Sequence, residues 1–354
     1  MKFGLFTCGY QRAALEDAFA DAVRFGYDYI ELWGGRPHGF APDLLSGDGA
    51  EVRALIRRFG VPVKVYTPEH NAYPYNYMLG SPRQWEDSME YLEAAIRAGA
   101  AVGAEYTLVS MGHSGGLPPQ ERTRRLERSL LRLADAAQRL GHALVVENLT
   151  PCESDVCTDL DSYAALLERL DHPALFGMCD AAAPFVQGED PADYPRRLGS
   201  RMRHLHLVDS DGVSETHLVP GEGVMPLGRV LRDIRAAGYD GAATLELVTH
   251  YIDAPSRYAR LALERAKELH RPVFLHVETQ KGKGYSYAEE NPGEYHGTSG
   301  FDIDTGKAFQ AAGTNFSNEF GLYLTELGKQ DKRICAITAA MKYGTGLNHF
   351  SHAF

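Results

Sequence analysis

Four ionisable side chains between residues 147 and 246 close runs that are otherwise apolar. They are Glu147 in HALVVENL, Asp180 in LFGMCDA, His206 in MRHLHLVD and Glu246 in AATLELV. Taking a carboxylate out of water costs several kcal/mol unless a cation or hydrogen bonds compensate it. One such residue is answered equally well by a nearby Arg or Lys. Four in succession, each at the same place relative to its apolar run, call for a shared cation. Three carboxylates and one imidazole make an oxygen-dominated donor set, which suits Mn²⁺, Co²⁺, Mg²⁺ or Ni²⁺ in preference to zinc. A divalent ion beside a ketose polarises its carbonyl and acidifies the neighbouring C–H. One carboxylate can then remove that proton while a second returns one on the opposite face, inverting the carbon through an ene-diolate. Glu147 and Glu246, with two runs between them, are expected as the acid/base pair. Asp180 and His206 are expected as ligands only.

The elements that must position these groups repeat along the chain. Up to about residue 270, eight apolar runs (KFGLFTCG, DYIELWG, VPVKVYT, EYTLVSM, HALVVENL, LFGMCDA, MRHLHLVD and AATLELV) alternate with segments whose apolar residues fall at helical spacing. Strands alternating with helices of this length build a parallel sheet. Gly60, Gly103, Gly141 and Gly238 stand where the helices should end. Eight units in this length predict a (β/α)₈ barrel, a fold of about 250 residues. The alternative, a doubly wound sheet, wants a glycine-rich phosphate turn after its first strand, and TCGYQR is not one. In a barrel of this kind the chemistry gathers at the carboxyl ends of the strands, where all four singled-out residues fall.

Composition narrows the partners. The 354 residues carry a formal charge of -11, which argues against a nucleic acid or an anionic membrane surface. Nothing approaches the roughly 18 consecutive apolar residues of a membrane span. Cys8, Cys152, Cys157, Cys179 and Cys335 are odd in number and form no CxxC. With MKFGLFTCGYQR reading as a first strand, they predict reduced thiols in a cytoplasmic protein with a small-molecule substrate. GHSGG, from Gly112 to Gly116, fits the outline of a hydrolase nucleophile elbow, but LPPQ follows where a helix must begin at once. Ser114 is therefore not expected as a nucleophile. His113 on that loop and His217 in THLVPGEG are candidates for touching substrate. Trp33, Tyr66, Tyr73 and Tyr75 could wall the barrel mouth or simply pack the core.

The segments FTCGYQR, ELWGGRPHGFAPDL, YTPEHNAYPYN, ENLTPCESDV, RHLHLVDSDG, THLVPGEG and TLELVTHY are long and unusual in composition. Through them, residues 1–269 resemble the sugar-phosphate isomerase/epimerase superfamily with the xylose-isomerase-like barrel, and within it the fructoselysine 3-epimerases. The resemblance implies metal ligands at Glu147, Asp180, His206 and Glu246, with the two glutamates as acid and base. It implies a sugar contact at Glu153 and a homo-oligomer. It also marks two departures from the tagatose- and psicose-type epimerases. Ala183 stands where those have His, and His217 where they have Arg. Both changes point away from a free ketohexose toward a fructosamine, so the implied reaction interconverts fructoselysine and psicoselysine at C3. Three rival readings are another sugar isomerase or epimerase of the same superfamily, an endonuclease-like metal phosphodiesterase, which the acidic charge opposes, and a non-catalytic sugar-binding barrel.

Residues 270–354 break the pattern. RPVFLHVETQKGKGYSYAEENPGEYHGTSGFDIDTG and the segment from Phe316 to the end resemble 1-deoxy-D-xylulose-5-phosphate synthase, a thiamine-diphosphate enzyme. The junction is expected inside ALERAKEL. Lys281, Lys283 and His296 match that family's active-site neighbourhood, but the resemblance lacks its upstream Gly-Asp-Gly segment and its catalytic glutamate. No thiamine diphosphate is expected, and the piece reads as an incomplete, fused fragment.

Overall fold

In the computed structural model the eight runs are eight strands: β1 (Lys2–Phe6), β2 (Tyr29–Gly34), β3 (Val63–Pro68), β4 (Tyr106–Val109), β5 (Ala143–Val146), β6 (Leu175–Asp180), β7 (Met202–His206) and β8 (Ala242–Leu245). They pair in chain order, all parallel, and β8 closes back on β1 to complete a barrel. The doubly wound alternative is thereby excluded. The structure describes every residue except 72–73, 215, 249–250, 269–281, 291–294, 296–299, 308, 310–314 and 340.

The helices between the strands follow from local chemistry. Pro82–Ala101 starts where Ser81 accepts from the Gln84 amide and the Gln84 side chain accepts from the Ser81 amide, with Pro82 in the first turn. That reciprocal cap stabilises the helix by about 1 kcal/mol. Trp85, Met89, Leu92 and Ile96 then fall on one buried face. Burying a side chain such as Leu92 contributes about 1.5–3 kcal/mol, so packing outweighs the cap. At the far end of another helix, Ala50–Phe59, Gly60 takes φ +72 and its N–H returns to Ile56 O. Gly103, Gly141 and Gly238 share that positive φ.

Inside the barrel, Tyr29, Val65, Tyr106, Leu108, Val145, Met178 and Ala242 form a core cluster separate from the one under the helices. Tyr29 fits because β1 offers Gly4 opposite it; a Cβ there would stand 2.1 Å from the Tyr29 ring. The Tyr29 hydroxyl meets Thr244 Oγ1 at 2.9 Å, so its polar tip is satisfied within the filled interior. The barrel is thus plugged below and open only toward the carboxyl ends of its strands.

Two compact units divide the chain, Met1–Val273 and Phe274–Phe354. The second contains the helices Ser286–Glu290, Phe316–Gln330 and Asn348–Ala353. Among its described residues, Ala288 and Leu347 are the buried apolar side chains. Phe316, Phe320, Tyr323 and Ile337 are exposed. Lys283 is exposed as well, while Lys281 and His296 lie outside the described residues. Among the described residues, no helix is long and apolar enough to cross a membrane.

Candidate metal centre

Each of the four groups leaves the barrel at the carboxyl end of its strand. Asp180 and His206 are the last residues of β6 and β7, and Glu147 and Glu246 are the first beyond β5 and β8. One donor atom from each lies within 4.8 Å of the other three. Their exposures are 8% for Glu147, 4% for Asp180, 1% for His206 and 9% for Glu246.

His206 Nδ1 stands 3.1 Å from Glu147 Oε1 and 2.8 Å from Glu246 Oε2. The angles do not make hydrogen bonds of these approaches: Nδ1 and Glu246 Oε2 are both buried without a partner. Buried polar atoms are otherwise almost always satisfied. A divalent cation held by the four groups would satisfy both, and hard oxygens with one imidazole are a donor set such an ion takes.

The other face of His206 explains why Nδ1 is the nitrogen turned to the cluster. Nε2 is 3.2 Å from Glu31 Oε1, which also accepts the Thr67 hydroxyl at 2.7 Å. A carboxylate only accepts, so Nε2 carries the hydrogen and Nδ1 the lone pair. Glu31 Oε2 lies 2.9 Å from His204 Nε2, and His204 Nδ1 meets the Tyr106 hydroxyl at 2.8 Å. Glu31, His204 and His206 also approach closely enough to hold an ion. Their facing atoms are already hydrogen-bonded to one another, so this second group is a brace. Burial alone would raise the Glu31 pKa, but His206 and His204 outweigh it and hold the carboxyl well below its usual range. Burial likewise works against charge on His206, yet Glu246, Glu31 and Glu147 raise its pKa well above the ordinary imidazole value. A proton and a cation are therefore alternative answers to the same concentration of negative charge.

The remaining ligand candidates are held equally firmly. Asp180 Oδ1 accepts the Ala182 amide at 2.8 Å, and Oδ2 lies 3.4 Å from His217 Nε2. Burial would push this carboxyl up, but the His217 contact and the His206 charge bring it below the usual value. Asn148 clamps the Asp180 backbone, accepting from its amide at 2.7 Å and donating to its carbonyl at 3.3 Å. Ser110 donates its hydroxyl to Glu147 Oε2 at 3.1 Å. Burial raises the Glu147 pKa, with Glu246 and Asp180 adding to it against His206.

Above the cluster lies a cavity of about 450 Å³ lined by all the expected site residues but two. Glu153 lines it, its Oε2 accepting the Thr150 hydroxyl at 3.4 Å. His217 lines it too, with Nε2 3.6 Å from Glu246 Oε2. His206 is the first exception: it is buried and does not line the cavity, although its donor atom is within reach of the other three. His113 is the second: its Nδ1 accepts the Gly115 amide at 3.0 Å on the GHSGG loop, and it is not among the residues that line the cavity. Ser114 is buried with both its amide and hydroxyl bound to Asp155. Trp33 is at the cavity, whereas Tyr66 is core and Tyr75 stacks on Tyr91 at 3.9 Å. Tyr73 lies outside the described residues. A larger groove of about 580 Å³ beside Trp85 and Arg128 lies on the outer helices and contains none of the four groups.

Two structural roles escaped the sequence reading. Glu31, His204 and Tyr106 form the brace, and Glu31 had the same visible signal as the ligands, a charge within an apolar run. Asp209, 1% exposed, accepts the amides of Ser210, Gly221 and Met225 and so shapes the loop that carries His217.

Comparison with known proteins agrees with this architecture. Over 270 residues, 76% of this chain and 98% of the relative, the sequence is 47% identical to fructoselysine 3-epimerase of Shigella flexneri. A further stretch of 92 residues, 26% of the chain, is 48% identical to 1-deoxy-D-xylulose-5-phosphate synthase of Clostridium tetani, but spans 15% of that enzyme. Among solved structures, D-psicose 3-epimerase from Clostridium cellulolyticum H10, solved with D-tagatose, matches in fold with a TM-score of 0.63. That match covers 76% of this chain and 99% of the other at 16% identity. Residues 19–285 match the family model described as the xylose isomerase-like TIM barrel, and with its eight parallel strands closed in order the chain belongs to that family.

Proposed function

We propose that the barrel is a divalent-metal-dependent 3-epimerase of fructosamine-type ketoses, interconverting fructoselysine and psicoselysine. The observation that carries this reading is the convergence of Glu147, Asp180, His206 and Glu246 beneath an open cavity, with His206 Nδ1 and Glu246 Oε2 buried and unpartnered. Those four residues would hold the ion, which when bound polarises the ketose carbonyl and lowers the pKa of the C3 hydrogen.

The chain's own residues move the proton. Glu147, whose pKa burial raises, is suited to accept the C3 hydrogen. Ser110 keeps its carboxylate oriented during the transfer. Glu246, from the opposite end of the four-strand arc, delivers a proton to the other face; the reverse reaction exchanges the two roles. Asp180 and His206 stay fixed, the first by Asn148 and the second by Glu31.

The lining supports a substituted amine as the substrate class. Glu69, Glu147, Glu153, Asp180 and Glu246 face the cavity, and no Lys or Arg is among its described lining residues. A divalent ion offsets only part of that negative charge, which repels a phosphate and attracts an ammonium. The fructoselysine relative is consistent with this. Residues 270–354 are read as a fused synthase fragment outside the reaction, and the ion as Mn²⁺, Co²⁺, Mg²⁺ or Ni²⁺.

The test is incubation of the metal-loaded protein with fructoselysine in D₂O. The expected result is deuterium at C3 together with appearance of the second epimer. Substrate recovered without label and without its epimer overturns the reading.

A further inference from the structure

Across the barrel mouth from β7, the loop after β3 holds two unmade hydrogen bonds. His70 is 8% exposed, and its Nε2 accepts the Ser110 amide at 3.0 Å. An acceptor nitrogen carries no hydrogen, so in the neutral ring the N–H sits on Nδ1. Burial pushes the His70 pKa down to about 4, which keeps the ring neutral near pH 7. Nδ1 is buried and has no partner. On the next residue, the Asn71 amide nitrogen donates to Glu153 O at 3.3 Å. That contact fixes which way the amide faces, since a carbonyl cannot be met by the amide oxygen. Asn71 Oδ1 is then an acceptor, likewise buried without a partner. The Asn71 backbone has φ +98, a conformation that L side chains rarely adopt.

Both residues line the cavity that contains Glu147, Asp180 and Glu246. An unmade donor and an unmade acceptor on consecutive residues of one cavity wall complement a hydroxyl, which accepts one hydrogen bond and donates another. It is not the complement of an ammonium, which has nothing to accept with. Leaving both groups unmade is costly, and a ligand oxygen placed between them removes that cost.

We propose that His70 and Asn71 form a hydroxyl-binding subsite that reads the ketose chain beyond the oxygens held at the four-group cluster. This rests on the sugar-epimerase reading for the identity of its ligand. The His70 imidazole donates Nδ1–H to a substrate hydroxyl, and that hydroxyl donates to Asn71 Oδ1. The pair positions C3 over Glu147 by fixing the far end of the chain.

His70 has two separable contacts, so two substitutions divide them. His70→Gln can still accept from the Ser110 amide but offers no donor where Nδ1 was. His70→Asn keeps a donor there and gives up the Ser110 contact. Asn71→Gly removes the acceptor while suiting the positive φ. For fructoselysine, kcat/KM is expected to fall at least about tenfold in His70→Gln and Asn71→Gly, and to stay within about threefold in His70→Asn. Thermal midpoints should show all three folded. The His70→Gln penalty should vanish for one member of a set of fructoselysines lacking the C4, C5 or C6 hydroxyl. His70→Gln at the wild-type rate overturns the proposal, as does a penalty undiminished for every deoxy analogue. Wild-type protein that exchanges no C3 hydrogen rejects the epimerase reading instead. The subsite is then decided by calorimetric binding of fructoselysine, tighter in His70→Asn than in His70→Gln if it exists and equal if it does not.

Discussion

The barrel matches fructoselysine 3-epimerase at 47% identity and the tail matches the synthase at 48%, yet the first alignment spans 98% of its relative and the second 15%. The two regions differ correspondingly in what they bury. Leu92, Ile96, Leu130 and Leu133 in the barrel's helices are fully enclosed, whereas Phe316 in the tail is 96% exposed and Ile337 93%. An amphipathic face is half of an interaction. The barrel carries both halves of every such pair, because each strand finds its neighbours in the same chain. The tail leaves such faces exposed, and its match spans 15% of the synthase. Among the described tail residues helices and caps form, such as Asn315 accepting the Asn318 amide, while Phe316 and Phe320 on one of those helices stay exposed.

The contrast is sharpest in catalysis. Glu147→Gln and Glu246→Gln should each lower kcat for epimerisation by about 10²–10⁴-fold, read as C3 deuterium exchange. Lys283→Ala in the tail should leave the same measurement unchanged. Activity surviving in either glutamate variant removes that residue from the acid/base pair.

Acid should separate the regions next. Burial holds both His70 and His142 near a pKa of about 4, against 6.5 for the free side chain. The unfolded chain binds these protons more readily than the folded barrel. Stability therefore rises with pH from about 4 to 6.5 and is lost on acidification through that window, by up to about 3 kcal/mol for each ring. Denaturant midpoints across that range check this, and His142→Gln should show a shallower loss.

Glu31→Gln should weaken divalent metal binding by about 10–100-fold by calorimetry, because an amide can present its N–H to His206 Nε2 and turn the wrong tautomer to the cluster. Unchanged affinity would make Glu31 a packing residue. The smallest effect is expected from removing residues after Glu268. The shortened protein should keep kcat/KM and its thermal midpoint, and a drop in either would tie the tail to the barrel's working.

Much of this architecture was legible before the structure. Parallel strands buried on both faces read as continuous apolar runs, so β1 to β8 announced themselves, and a carboxylate ending such a run is conspicuous. What escaped was pairing at long range. Glu31 was visible as a charge in DYIELWG, but its partners His204 and His206 are 173 and 175 residues away. Periodicity within one strand says nothing about which side chain meets it across a closed barrel. Loop direction was equally hidden. His113 and His70 both sit just past strand ends, yet the first faces Gly115 and Asp155 and the second the cavity. Nothing in GHSGG or TPEHNA distinguishes them, because the difference arises from contacts with Asp155 and Ser110 on other loops.

The brace behind His206 makes the two halves of the barrel depend on each other. Strands β5 to β8 supply every proposed metal donor, but Glu31 and Thr67 come from β2 and β3, and Tyr106 from β4. The half of the ring that carries the proposed donors therefore borrows from the other half the carboxylate that aims its imidazole, so closure of the ring does more than cover exposed strand edges.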